Sequence, residues 1–538
     1  MVNRKKPTRR DFLKLAGAAS GSLVLAACTP AEPTATAATA APAATAATAA
    51  TAATAATAAA TATSASVEKV FRLANDLSLG GAENLDPLSQ NVWITPVALI
   101  FSRLMREGET GEASPELATS WTANAEATEW TLTLQSGVTF HDGSAFDAAD
   151  VAYSLGRIED PELESPVASV LSIIDRVEVI DPMTVKIILD APHAGLPLLL
   201  LDYRVRIIPK GSGPTITKNP VGTGPFRIES FDPEGTTTLV AYDGYWEGQP
   251  LLDKIQFTAI PDAEARNQAM LAGQLDYNGL TTDQAPLFAG NSAFQVQSFP
   301  SGAWIGLAFR SDTAPFDDAR VRRALRIAVD RDAMLNLLQG PDGGVVGCDT
   351  PVISSDPFRA NLDCPQDIEG AKALLAEAGY PDGIDFELFT SDVTPGMIRF
   401  AEVYQAQVAP AGIRVALTVA PSDGYWDDVW MKKSAVATSW DNRPADQFLN
   451  EIFRSGVPNN ETFYTNPDFD ALLDRARSTI DVAAALELYV EAQQIIYDDG
   501  GVLIPFLMNG RRVLSGNITG IPALKEEFTR WHLVDMAK

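Results

Sequence analysis

From Val67 to the C-terminus the chain alternates, without any tandem repeat, between short stretches of hydrophobic period two and longer stretches of helical period. This interleaving limits the fold more than any other feature. Strands and helices that each bury one face, mixed along one chain, lead to a layered α/β architecture. Trp130-Thr131-Leu132-Thr133-Leu134 alternates as a half-buried strand does, and the turn-bearing stretch Gly137-Val138-Thr139-Phe140-His141-Asp142-Gly143 follows it. A helix is predicted next, with Asp147 placed to cap it and Val151, Leu155 and Ile158 on one face. A second is predicted over Ala371 to Ala378, stopping at Gly379 and running into a Pro381-Asp382-Gly383 turn. At 538 residues, 46% of them hydrophobic, the chain exceeds what one core holds, and two or three domains are expected.

The first 66 residues read differently. Residues 1–28 carry a basic start, then Arg9-Arg10-Asp11-Phe12-Leu13-Lys14, then a small-residue apolar run ending Leu25-Ala26-Ala27-Cys28. This pattern is that of a signal peptide with a twin-arginine motif and a lipobox, in which Cys28 becomes the lipidated first residue. The apolar run, about 14 residues, falls short of the roughly 20 that a membrane span needs. Removing this leader takes away six basic side chains and one acidic one, moving the formal charge from −28 to about −33. Residues 29–66 are almost wholly Ala, Thr and Pro, with nothing large to bury, and are expected to form a disordered tether. As a flexible coil such a segment spans about 35 Å r.m.s.. The expected location is therefore extracytoplasmic, in the periplasm or on the outer face of the cytoplasmic membrane, and lipid-anchored. In that oxidising setting Cys348 and Cys364 form either a structural disulfide, the favoured reading, or two buried thiols.

Charge and histidine usage narrow the chemistry. A formal charge of −28 with thinly spread Lys and Arg argues against nucleic acid as a partner. The three histidines, His141, His193 and His532, lack metal-ligand spacing, and His141 beside Asp142 reads as turn structure because adjacent turn residues seldom converge on one substrate atom. Gly222-Thr223-Gly224-Pro225 lacks the Gly-Lys-Ser/Thr that completes a phosphate loop. No catalytic, metal or cofactor motif is found, so the expectation is a binding protein without a cofactor, not an enzyme.

Several stretches then occur in a telling order. Leu117-Ala118-Thr119-Ser120-Trp121, Gly137 to Gly143 with Asp150-Val151, and Pro220 to Phe226 come first. Tyr245-Trp246, Val321-Arg322-Arg323-Ala324-Leu325 with Asp330-Arg331, Leu374 to Tyr380, Asn466-Pro467 and Ile504-Pro505-Phe506 follow. Over about 67 to 538 the chain resembles the family 5 solute-binding proteins of ABC transporters, the oligopeptide, dipeptide and nickel-binding group. The resemblance implies a two-lobed α/β fold of the type II periplasmic-binding-protein kind, with an additional subdomain in lobe one. Lobe one is expected at 67–308 with its subdomain near 116–204, lobe two at 309–505, and the C-terminal return to lobe one at 506–538. It further implies a monomer that closes over a small solute, peptide first and an oligosaccharide or nickel or haem complex next, and hands it to ABC permease subunits. An extracytoplasmic hydrolase and a ligand-presenting sensor are the readings from other classes.

A closing cleft needs rigid aromatic surface and a few polar anchors. Ser439-Trp440-Asp441-Asn442-Arg443-Pro444 is the leading cluster, since in peptide-binding relatives the Trp of this segment lines the cleft and a nearby acid engages the peptide's amino end. By that resemblance Trp440 matches and Asp441 or Asp446 supplies the acid; Asn442 and Arg443 are candidates as members of the same cluster, where the segment is shorter than in the dipeptide-binding pattern and Arg443 departs from it. Trp93, Trp304 and Trp426 are further candidates, each read either as cleft-lining or as core packing.

Overall fold

The computed structural model describes residues 68–108, 111–163, 165–525 and 528–537. The leader, Cys28 and the Ala/Thr-rich tether lie outside these residues. Among the described residues no helix is long and apolar enough to cross a membrane.

Two large sheets organise the chain. The first is eight-stranded, in the order Phe294–Pro300, Phe506–Ser515, Tyr277–Leu280, Val70–Asn75, Lys254–Ala259, Thr236–Ala241 and Phe226–Ser230, with Gly344–Val346 pairing from the side onto Phe506–Ser515. The second is five-stranded, in the order Ile413–Val419, Ile384–Thr390, Ala435–Trp440, Trp304–Phe309 and Val502–Leu503. A separate antiparallel sheet of four strands, Ala118–Ala123, Glu129–Leu134, Thr184–Leu189 and Ile174–Asp181, falls within the span expected for the subdomain. The eight-stranded sheet and this subdomain make lobe one. The five-stranded sheet makes lobe two with the helices Pro467–Ser478 and Val482–Asp499, which share a core with Trp304, Phe448 and Leu507.

Local sequence explains many elements. The strand Ile384–Thr390 alternates buried and exposed residues almost strictly, as one covered face requires. Trp304–Phe309 is buried at every position, the mark of a central strand covered on both faces. Asp147 caps the helix Ala148–Gly156 by accepting from Ala149 N, while Asp150 reaches back to the cap's own N–H in a reciprocal capping box. The helix Ile368–Glu377, capped by Asp367, starts three residues before the predicted span and ends near Gly379. That glycine sits at φ +96°, left-handed backbone that favours a residue without Cβ.

The passages between lobes depart from the expected boundaries. The chain leaves the eight-stranded sheet at Pro300 and enters the five-stranded sheet at Trp304, so position 308 lies inside a lobe-two strand that pairs fully with Ala435–Trp440. It returns between Leu503 and Phe506. In addition, Gly344–Val346, expected in lobe two, hydrogen-bonds the lobe-one strand at Phe506–Met508. An apolar run such as Trp-Ile-Gly-Leu-Ala-Phe fits either sheet, which is why pattern alone misplaces the first passage.

Cys348 and Cys364 are bonded, with Cα atoms 5.5 Å apart and 16 residues between them in sequence. A loop of that length predicts that replacing both by Ser lowers unfolding free energy by about 3 kcal/mol, read as a lower urea midpoint. An unchanged midpoint would show that the bond contributes nothing.

Candidate functional site

A cavity of about 510 Å³ lies between the lobes. Lobe one contributes Leu198–Leu199 and Leu201–Arg204, the passage between lobes contributes Ser301 and Ala303, and lobe two contributes Ile353, Ser355–Asp356, Asp441–Pro444, Gln447 and Glu451. The lobe-two wall follows from its local structure. Strand Ala435–Trp440 ends, Asp441 to Pro444 turns the corner, and the short helix Ala445–Phe448 begins with its first N–H donated to Asp356 Oδ2 at 2.8 Å. Burial raises the Asp356 carboxyl above its usual range, against the pull of its backbone donors. Gly302, in the passage between lobes at φ +73°, comes so close that an added Cβ would stand 2.5 Å from Asn442 Oδ1.

Arg443 is held rigidly. Its Nε donates to Glu451 Oε2 at 2.9 Å and its Nη1 to the Asp441 carbonyl at 3.1 Å, and its guanidinium lies 5.5 Å from the Trp440 ring centre and 5.8 Å from that of Phe448. On the lobe-one wall Arg204 stacks 4.0 Å over Tyr203 and stands 3.6 Å from Asp202. Among the described residues its buried Nε has no hydrogen-bond partner. Cations and carboxylates thus line both walls, an arrangement suited to a solute that itself carries both signs.

Behind the wall, Trp440 is fixed by a buried acid. Glu461, 2% exposed, accepts from Trp440 Nε1 at 3.2 Å, Thr438 Oγ1 at 2.7 Å and Trp430 Nε1 at 2.5 Å. Burial dominates its environment and raises its carboxyl despite the three donors. Rings continue on either side, with Trp426 to Trp430 at 6.1 Å, Trp430 to Trp440 at 6.4 Å and Trp440 to Phe448 at 6.3 Å.

Of the residues singled out from sequence, Asp441, Asn442 and Arg443 line the cavity, with Trp440 supporting them from behind. Asp446 does not reach it. Its carboxylate is buried and accepts from Arg477 Nε at 2.9 Å and Nη2 at 3.0 Å, from Tyr489 at 2.8 Å and from Asn450 at 2.9 Å, with His193 Nε2 at 3.2 Å. No lone pair is left for an amine on a solute. Trp304 has zero exposure and is core. Trp93 packs on Phe257 at 5.1 Å in the lobe-one core, and Trp426 is the half-exposed outer end of the ring series. Tyr203, Arg204, Asp356 and Glu451 were not expected. The one signal for the first two is a polar trio with two charges, Asp202-Tyr203-Arg204, directly after an apolar run.

His141 has a structural role, joining its turn to a distant loop. It exchanges hydrogen bonds with the Gly222–Gly224 loop, its Nε2 lying 2.9 Å from Gly224 O and its Nδ1 accepting from Gly222 N at 3.3 Å. Burial lowers its pKa to about 4. The two glycines press so tightly on the backbone that a Cβ would meet Ile100 O at 2.0 Å and Leu99 O at 2.3 Å.

Two lobes joined by two neighbouring passages, with a mixed-charge cavity between them, define a solute-binding protein of the type II periplasmic kind. The comparisons give the family. Residues 112–460 match the family model of bacterial extracellular solute-binding proteins, family 5, and the chain belongs to that family. It is 29% identical over 406 residues to the glutathione-binding protein GsiB of Salmonella paratyphi A, covering 71% of this chain and 78% of that one. It is 29% identical over 445 residues to heme-binding protein A of Haemophilus influenzae, covering 74% and 80%. Among solved structures, the ABC transporter substrate-binding protein CtaP of Listeria monocytogenes superposes with a TM-score of 0.77 at 20% identity, covering 88% of this chain and 99% of that one.

Proposed function

We propose that this chain is the lipid-anchored cargo receptor of an ABC importer and that its cargo is a peptide-like zwitterion. The reading is carried by the two arginines on opposite walls of the interlobe cavity, Arg204 with a buried unpartnered Nε and Arg443 held by Glu451, each beside a carboxylate. A carboxylate on the cargo fits between the guanidiniums, and an amine fits against Asp202 or Asp441. A volume of about 510 Å³ lies within the roughly 300–1,000 Å³ of small-molecule sites. The name of the relative GsiB, whose glutathione is a tripeptide, fits the peptide class, and heme-binding protein A, equally 29% identical, keeps haem among the cargos to be tested. Cys28 after Leu25-Ala26-Ala27 supports lipid anchoring, and the Ala/Thr-rich stretch after it serves as the tether. Membership in the family supports release to a permease, and the two-lobed fold supports capture by lobe closure.

Thermal shift and calorimetry with di- and tripeptides, glutathione, oligosaccharides and haem test the cargo. A peptide that raises Tm on the parent chain is expected to bind about 10–100-fold more weakly to Arg443→Ala, as loss of a charge-assisted pair implies. Equal binding by that variant, or stabilisation by sugars alone, overturns the reading.

A further inference from the structure

One loop joins the interlobe cavity to the return passage between the lobes. It runs from Cys348 to Cys364, carries the cavity-lining residues Ile353, Ser355 and Asp356, and is closed at its base by the disulfide. Among the described residues no helix or strand falls within it. A compact loop with its ends together and no regular structure is held by its own side chains, and such loops often carry function.

The base of the loop is bonded to the return passage. Gly344–Val346 pairs with Phe506–Met508, and Gly347 N donates to Pro505 O at 2.9 Å. Asp349 then exchanges two bonds with Ile504, its N donating to Ile504 O and its Oδ1 accepting from Ile504 N, both at 3.0 Å. The approach is close enough that a Cβ on Gly347 would stand 2.7 Å from Ile504 O. Cys348 and Asp349 both take left-handed backbone, at φ +50° and +60°, which residues with a Cβ seldom adopt unless their surroundings impose it. Two ties from the far end of the loop hold them there. One is the bond to Cys364. The other is Arg331, which donates Nη1 to Cys364 O at 3.2 Å and Nη2 to Asp349 Oδ2 at 2.8 Å, so both ends of the loop lean on one guanidinium.

The cavity end is tied as well. Asp356 accepts from Phe358 N within the loop and from Ala445 N beyond the Asp441–Pro444 corner, both at 2.8 Å. Arg359 crosses from this end to the base, its Nη2 donating to Val346 O at 3.0 Å and its Nη1 to Val352 O. Gln493, on the helix Val482–Asp499, spans both limbs: its Oε1 accepts from Thr350 Oγ1 at 2.7 Å and Ala360 N at 3.1 Å, and its Nε2 donates to Phe358 O at 2.7 Å. A continuous set of bonds therefore leads from Ile504 through the loop to the wall at Asp356 and Ala445. A wall already ordered in its bound form raises affinity, because less entropy is lost when cargo arrives.

We propose that the loop closed by Cys348 and Cys364 is a positioning element of the cargo site: the disulfide at its base and Arg359 across it fix the wall at Ser355–Asp356 to the passage that joins the lobes, and so strengthen cargo binding. The proposal rests on the cargo reading, since cargo is what this wall meets.

Hydrogen exchange, and calorimetry with trialanine, compare the full parent chain with three variants. Cys348→Ser with Cys364→Ser removes the bond, Arg359→Met removes the crossing tie, and Leu132→Ala truncates the subdomain core and so lowers stability outside the loop. In the serine variant the amides of Phe358 and Ala445, held by Asp356, and those of Gly347 and Ile504 at the base are expected to exchange about 10-fold faster than in Leu132→Ala. Trialanine is expected to bind the serine variant about 10-fold more weakly than the parent, and Leu132→Ala as the parent does. Arg359→Met keeps the bond and is expected to speed exchange at Phe358 and Ala445, which keeps the test decisive if the serine variant fails to fold. Exchange at those two amides no faster in the loop variants than in Leu132→Ala overturns the proposal, as does equal trialanine affinity in parent and serine variant. A parent that binds no peptide removes the cargo reading, and the exchange comparison then decides alone whether the loop holds its wall.

Discussion

Replacing Asp446 by alanine is expected to lower the unfolding free energy by about 3–5 kcal/mol, the cost of removing one partner from a buried ionic network. The carboxylate takes both nitrogens of an Arg477 fork, the Tyr489 hydroxyl and Asn450, and faces His193 from the lobe-one subdomain. Alanine leaves the Arg477 cation, 28% exposed, without its anion and the Tyr489 hydroxyl without its acceptor. The contact also joins the lobes, since Ala194 N donates to Arg477 O at 2.5 Å and Leu198 packs against the lobe-two helices. Burial pushes the Asp446 carboxyl up, but His193 and Arg477 outweigh it and hold the group well below the usual carboxylate range. A carboxyl depressed in the folded state contributes fully above its unfolded value, about 4, and loses that contribution as pH falls toward the folded value. The gap between parent and Asp446→Asn in urea unfolding is therefore expected to stay constant from pH 8 to pH 5 and to shrink below pH 4. A gap that widens in acid, or an alanine variant as stable as the parent, would remove the network from the account.

The same residue marks where the sequence stops being legible. Asp147, Asp367 and Gly379 act within a few residues of themselves, and their roles can be read from neighbours alone. The strand Ile384–Thr390 declares its buried face by alternation. Asp446 sits in a segment of polar residues that reads as a solute-facing loop, yet its partners come from the helices Pro467–Ser478 and Val482–Asp499 and from His193 in the other lobe. Nothing near position 446 announces them. Trp304 fails for the complementary reason: at the end of a passage between lobes a Trp serves a cavity or a core equally well, and only the packing of Phe448 against it, at 6.4 Å, decides for core. Asp441 to Arg443 were legible because the strand end and the turn that expose them are local. Arg204 was not, because its place opposite Arg443 depends on how two distant segments meet. Glu461 escaped notice altogether, since an acid between Asn460 and Thr462 gives no hint that it accepts two indole N–H groups.

The larger loss is expected for Asp349→Ala, at about 4–5 kcal/mol, because this change strands two buried cations instead of one. Arg326 and Arg331 are 1% and 2% exposed at the side chain and both converge on Asp349 Oδ2, at 3.1 and 2.8 Å. The other oxygen, Oδ1, accepts from Ile504 N at 3.0 Å, and Asp349 N returns a bond to Ile504 O at 3.0 Å. Ile504 lies in the return passage to lobe one, so this carboxylate ties the helices Ala319–Ile327 and Arg331–Gln339 to the chain segment that joins the lobes. Arg326 keeps the carbonyls of Tyr497 and Asp498 at the end of the helix Val482–Asp499, where a cation is favoured, but burial lowers its pKa and Asp349 is the anion that opposes this. Against a typical total of 5–15 kcal/mol, such a loss removes between about a third and nearly all of the stability. Two comparisons separate charge from shape. Asp349→Asn retains an oxygen for Ile504 N and is expected to lose nearly as much as alanine, because the cations stay unpaired. Replacing Arg326, Arg331 and Asp349 together by Met, Met and Leu removes the unpaired charge, and the triple variant is expected to be more stable than Asp349→Ala alone. A triple variant less stable than the single one in urea denaturation would mean that the guanidiniums contribute by packing and by their carbonyl bonds, not through the shared carboxylate.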